Sequence, residues 1–112
     1  MITDDSFVDE LVAVLPEAVE TVRDHLGDQE GELLIHLLMA DLQRLTVRVF
    51  REGQDDLARR ILEFVDRCLS EGDADVKNAV SVSFVEDYGY GPDEPEELLL
   101  LWPAGLRADL GR

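Results

Sequence analysis

The chain is poor in the residues on which secreted and membrane proteins depend. It has one cysteine, Cys68, so no disulfide can form within it, and we expect a reducing, cytoplasmic location. It begins MITDDSFVDE, which lacks the basic and apolar regions of a secretory signal peptide. The longest apolar stretch, LLIHLLMADL, contains His36 and Asp41 and is too short to cross a bilayer.

Basic residues are also scarce. Ten Lys and Arg stand against 26 Asp and Glu, which gives a formal net charge of −16. We therefore expect neither nucleic acid nor an anionic membrane as a partner, because their phosphates would be repelled. A basic protein partner would instead be attracted and bind faster. The alternative is that the acidity serves solubility or adaptation to salt.

The acids are unevenly spread along the chain. Residues 1–32 hold ten acids and one Arg, residues 33–72 hold seven acids and six Arg, and residues 73–112 hold nine acids and three bases. Acidity that served solubility alone is expected to be more even. The asymmetry therefore favours a directed interaction.

The apolar content is sufficient for one core. Hydrophobic residues make up 46% of the chain, and its length suits a single domain over residues 1–112. Gly and Pro divide the sequence into pieces in which apolar residues recur at helical spacing. We therefore predict an all-α fold of five to six short helices, in an antiparallel bundle or HEAT-like arrangement.

Particular residues mark the expected ends of these helices. The first helix is expected to start at Thr3 or Asp4 and the second at Pro16. Glycines are expected to end the second, third and fourth helices, at Gly27, Gly53 and Gly72. On the fourth helix, opposite charges four residues apart predict weak ion pairs at Asp55–Arg59, Asp56–Arg60, Arg59–Glu63 and Glu63–Arg67.

The stretch AVSVSFV, residues 79–85, fits either a strand or a helix. It alternates apolar residues with Ser, as a half-buried strand does. No other segment alternates in this way, so a strand would leave its backbone unpaired, and we predict a helix that starts at Asp73. Its buried face would consist of Val76, Ala79, Val80, Ser83 and Phe84.

The C-terminal segment allows two interpretations. Pro95 and Pro103 each suit the start of a short helix, and Leu98, Leu101 and Trp102 would then cover the core. If the Leu98–Trp102 segment is exposed, it would instead hold two copies of the chain together. The chain would then be a small structural or regulatory homodimer, with acidity serving solubility.

No motif of a known catalytic or metal site is found. There is no pair of His four residues apart, no nucleophile elbow and no phosphate-binding glycine loop. His25 is expected in the last turn of a helix, where it complements the dipole, and His36 in the core among leucines. Cys68 is expected to be a buried apolar residue rather than a nucleophile. We predict no catalytic residue, metal or cofactor.

The loop GYGPDEP and its flanks have the composition of a docking surface. Tyrosine offers rigid contact area, and the acids around it would contact Arg or Lys of a partner. The alternative is that the tyrosines pack on helix ends and the acids cap the next helix. The predicted partner-binding residues are Glu86, Asp87, Tyr88, Tyr90, Asp93, Glu94, Glu96 and Glu97.

Three stretches in this order, ELLIHLLMADLQR, ILEFVDRCLSEGDADVKNAVSVSFVED and LWPAGLRADL, resemble a small bacterial domain family of uncharacterised function. That family includes candidate toxin-immunity proteins, and the resemblance covers roughly residues 31–110. It implies an all-α fold and brings no catalytic residue with it. With the acidity, it leads us to expect a non-enzymatic interaction module, specifically an immunity protein that neutralises a basic toxin.

Overall fold

The computed structural model describes residues 1–28, 34–86 and 96–110, and within these it is all-α, as predicted. A 3-10 turn, Pro16–Ala18, joins the first two α-helices, a π-helix, Val80–Glu86, continues the fifth, and a 3-10 helix, Glu96–Leu101, precedes the sixth. No helix in the described ranges is long and apolar enough to span a bilayer. The α-helices are α1 (Asp4–Val14), α2 (Val19–Asp28), α3 (Ile35–Arg51), α4 (Asp55–Glu71), α5 (Ala74–Ala79) and α6 (Ala104–Leu110).

The two longest helices, α3 and α4, form the centre of the molecule. Both are strongly amphipathic, with buried apolar residues at helical spacing such as Leu38, Leu42 and Val49 on α3. The turn between them contains Gly53 in the left-handed region, at φ 82°, which favours glycine. α3 also contacts α2, α5 and the π-helix, so its buried stripe is covered from several directions.

The N-terminal residues are held against the junction of α4 and α5. Thr3 caps α1 and exchanges hydrogen bonds with Ser6, which settles the choice between Thr3 and Asp4. Ile2 is buried and pairs with the chain at Gly72: its N–H donates to the Glu71 carbonyl and its carbonyl accepts from Asp73, both at 2.8 Å. This parallel pairing brings two distant stretches of sequence side by side.

The residues 79–85 are helical, and the predicted face is correct. Asp73 Oδ1 accepts from the Val76 N–H at 3.0 Å at the start of α5. The chain then widens into the π-helix, near whose end the Gln43 amide donates to the Phe84 carbonyl at 2.8 Å. Val76, Ala79, Val80, Ser83 and Phe84 are all buried.

The C-terminal segment covers the core. Leu98 and Trp102 are buried, and the Trp102 ring lies 5.8 Å from that of Phe84. The alternative prediction, that the Leu98–Trp102 segment is exposed, is therefore wrong for Leu98 and Trp102. Leu100, between them, is 75% exposed. The predicted helix start at Pro95 lies outside the described residues.

Two further details of the sequence prediction are wrong. Gly27 does not end α2, which continues through it to Asp28. On α4, the predicted ion pairs of Arg60 and Arg67 with Asp56 and Glu63 do not form: Arg60 donates to Glu17 at 2.7 Å, and Arg67 donates to Glu10 and lies 3.7 Å from Glu71 on its own helix. Periodicity along one helix cannot show that a neighbouring element offers a carboxylate within reach.

Candidate interaction surface

Most of the predicted docking loop lies outside the described residues. This applies to Asp87, Tyr88, Tyr90, Asp93 and Glu94. Of the other three, Glu86 ends the π-helix, Glu96 begins the 3-10 helix, and Glu97 is exposed. The loop therefore stays a prediction, anchored between two helical elements whose positions are known.

A second group of acids is gathered by the fold itself. The pairing of Ile2 with Gly72 places the start of α1 beside the start of α5, and with them Asp4, Asp5, Asp73 and Asp75. We name these four residues the N-terminal aspartate cluster. Asp5 and Asp75 are exposed, Asp4 and Asp73 partly buried. Sequence reasoning missed this cluster, because only the tertiary pairing joins its two halves.

The electrostatics of Asp4 show how crowded this cluster is. Partial burial, and then the negative charges of Asp75, Asp73 and Asp5, raise the pKa of Asp4 above its ordinary value, while His36 opposes the shift. One carboxylate oxygen of Asp4, Oδ1, is buried without a hydrogen-bond partner. The charged form of Asp4 is therefore disfavoured in the folded protein.

His25 lies in the last turn of α2, as predicted, but the prediction that His36 lies in the core is wrong. His25 is 2% exposed, with Nε2 accepting from the Leu34 N–H at 3.2 Å and Nδ1 3.5 Å from Asp41 Oδ2. His36 is exposed, because Ile35, Leu38 and Leu42 form the buried face of α3 and His36 lies outside it, beside the exposed Leu37. Its Nδ1 lies 2.9 Å from the Ser83 hydroxyl.

The His36–Ser83 contact has the distance of a base beside a nucleophile. Ser83 belongs to the π-helix, which packs on α3, and its side chain is buried. The contact joins the start of α3 to the π-helix. In the described ranges no group of three His, Cys, Asp or Glu is placed to hold a metal ion.

Cys68 is a buried apolar residue, as predicted. Burial raises the pKa of its thiol to about 12, against a small opposing effect of Arg67. The reactive thiolate is therefore almost absent at neutral pH in the folded chain.

Comparison with known proteins identifies a family whose function is not established. Residues 8–110 match a family described as a domain of unknown function, DUF7674. No curated protein and no solved structure matches the sequence.

Proposed function

This chain belongs to the DUF7674 family, and we propose that it is a non-enzymatic interaction module that binds a basic protein through its acidic surface. In its most specific form, the proposal is that the chain is an immunity protein. It neutralises a basic toxin by covering the toxin's active surface, and no chemistry takes place.

One observation carries this proposal, the N-terminal aspartate cluster. Solubility requires many acids but does not require four of them side by side. Partial burial, and then the proximity of the other three acids, disfavours the charged form of Asp4 and so opposes folding. Local arrangements that oppose stability are common where a protein binds something else. Lys or Arg side chains of a partner would relieve the repulsion.

The acidic surface also favours fast association with a basic partner. A net charge of −16 attracts a basic partner over distances of about 10 Å at 0.1 M salt. Exposed charges of this kind mainly raise the association rate and make it sensitive to salt. The predicted loop would add tyrosine contact area beside its own acids.

The first experiment combines capture with a matched pair of variants. The chain is used to capture proteins from its own cell lysate at low salt, followed by elution with rising salt. Asp5→Lys/Asp75→Lys reverses two exposed acids of the N-terminal aspartate cluster. Asp55→Lys/Asp56→Lys makes the same change of net charge in the first turn of α4, where both residues are also exposed.

We expect the unmodified chain and the α4 variant each to capture one basic protein in stoichiometric amount. The Asp5/Asp75 variant should fail to capture it. With the purified partner, the association rate of the Asp5/Asp75 variant should fall about tenfold or more at low salt. Equal losses in the two variants would mean that only total charge matters and would contradict a defined surface.

Charge reversal in the predicted loop tests its separate contribution. Reversing Asp93, Glu94, Glu96 and Glu97 should strongly slow association with the same partner at low salt, because these acids would face its Lys and Arg. The rate is measured by stopped flow at several salt concentrations. An unchanged rate at low salt would remove the loop from the binding surface.

A further inference from the structure

A polar cleft opens between α2 and α3. It encloses about 330 Å³, within the lower range of small-ligand pockets. Thr21 and Asp24 of α2 line it, with Leu45 and Arg48 of α3. Polar and charged side chains thus surround a small apolar surface.

A series of contacts, from the Leu34 main chain through His25 and Asp41 to Arg44, holds the side chains on one rim of the cleft in place. The Leu34 N–H donates to Nε2 of the buried His25, so the proton of the neutral ring is on Nδ1, which faces Asp41. Arg44 donates to the other oxygen of the same carboxylate. Both Asp41 oxygens are therefore engaged, and the guanidinium of Arg44 is held at the cleft with further N–H groups available.

Two other charges on the cleft have no such partner. Asp24 lines it from α2 and Arg48 from α3, and in the described part of the chain neither forms an ion pair. Opposite charges that face one cleft without pairing suit a ligand that carries both signs. We propose that the cleft binds a small zwitterion of the α-amino-acid type. Its carboxylate contacts Arg44 and Arg48, and its ammonium contacts Asp24.

The charge of the whole molecule decides between this ligand and a simple ion. A net charge of −16 repels free anions, and a simple cation gains nothing from Arg48. A zwitterion has no net charge, so the overall field does not oppose it. Arginine binds carboxylates with paired hydrogen bonds, and Leu45 offers a contact for a short apolar side chain. This site is independent of the proposed docking surface.

The test compares amino acids with two half ligands: acetate, which carries only the carboxylate, and methylammonium, which carries only the ammonium group. Each of the common L-amino acids is titrated separately into the full chain by calorimetry, beside acetate and methylammonium at equal ionic strength. We expect at least one amino acid to bind at a ratio of one to one, and both half ligands to bind about tenfold more weakly or worse.

Variants locate the binding. Asp24→Asn and Arg48→Gln, both exposed positions, should each weaken binding about tenfold or more, since each removes a charge-assisted hydrogen bond. Arg59→Gln on α4, also exposed and outside the cleft, should leave the affinity unchanged. The proposal is overturned if no amino acid binds at about 10 mM, if acetate alone binds equally well, or if both cleft variants retain full affinity.

Discussion

At the scale of single residues, burial disfavours the charged form of two ionisable side chains, with different consequences for stability at neutral pH. Asp4 is partly buried among like charges, so folding opposes its ionisation. Cys68 is fully buried among apolar neighbours, so folding keeps its thiol protonated. The charge of Asp4 lowers the stability of the folded protein at neutral pH. Cys68 is neutral at this pH, so it contributes through packing alone. Both effects can be measured.

Removal of the Asp4 charge should stabilise the protein. Because the folded protein raises the pKa of Asp4 above 3.8, the charged form costs stability at neutral pH, and this cost disappears as the pH falls through the raised pKa. Asp4→Asn should therefore raise the Tm at pH 7, and its advantage should shrink toward pH 3.8. Asp9→Asn, at an exposed position of the same helix, is the control and should change the Tm less. A lower Tm for Asp4→Asn at pH 7 would contradict this account.

Cys68 should react only in molecules that have opened. Its pKa of about 12 and its burial both protect the thiol, so labelling by a disulfide reagent at pH 8 should be slow in buffer and fast in denaturant. The labelling rate is followed against denaturant concentration, with free cysteine as the reference. Rapid labelling in buffer would show that the α4 core opens readily.

At the scale of elements, local periodicity predicts the long helices and fails where contacts are remote. The faces of α4 and of residues 76–84 follow from spacing alone. The π-helix, the ion pairs of Arg60 and Arg67 and the N-terminal aspartate cluster depend on neighbours distant in sequence. The leucines around His36 in sequence predict a core position, yet in α3 His36 lies with Leu37 on the exposed side of the helix. The docking loop and its tyrosines remain predictions.

Two glycines in the same chain should respond oppositely to substitution by alanine. A Cβ at Gly72 would lie 2.4 Å from the Cys68 carbonyl oxygen and 2.6 Å from a Val76 methyl, so Gly72→Ala should destabilise by about 1–3 kcal/mol. At Gly27, inside α2, a Cβ meets nothing within 4 Å. Gly27→Ala should therefore stabilise by about 0.5–1 kcal/mol. Urea unfolding of both variants measures the difference, and a neutral Gly72→Ala would show that the α4–α5 junction shifts easily.

At the scale of the whole molecule, charge repulsion acts against compactness. The formal charge of −16 lies on a body with a radius of gyration of 12.9 Å. Its ion pairs are mostly exposed, such as Arg60–Glu17, where donation from Arg60 lowers the pKa of Glu17. Exposed pairs contribute little to stability. Net repulsion should therefore outweigh them in the response to salt.

Added salt should stabilise the folded chain. Screening shortens the range of repulsion from about 10 Å at 0.1 M to about 3 Å at 1 M salt. The Tm should rise over this range, and it should rise less for Asp5→Lys/Asp75→Lys, which carries a smaller net charge. Differential scanning calorimetry in sodium chloride measures both. A Tm that falls with salt would mean that ion pairs, not repulsion, dominate.

The pairing of Ile2 with Gly72 also sets an order of events during synthesis. The second residue of the chain finds its partner only after residue 73 has left the ribosome, because the main chain of Glu71 and Asp73 supplies the hydrogen bonds. The ring of Phe7 on α1 also packs against Phe64 of α4, 5.6 Å between centroids, so these partners lie more than 50 residues further along the chain. α1 is thus made well before it can be secured, and we expect repulsion between acidic residues to keep neighbouring nascent chains apart in that interval.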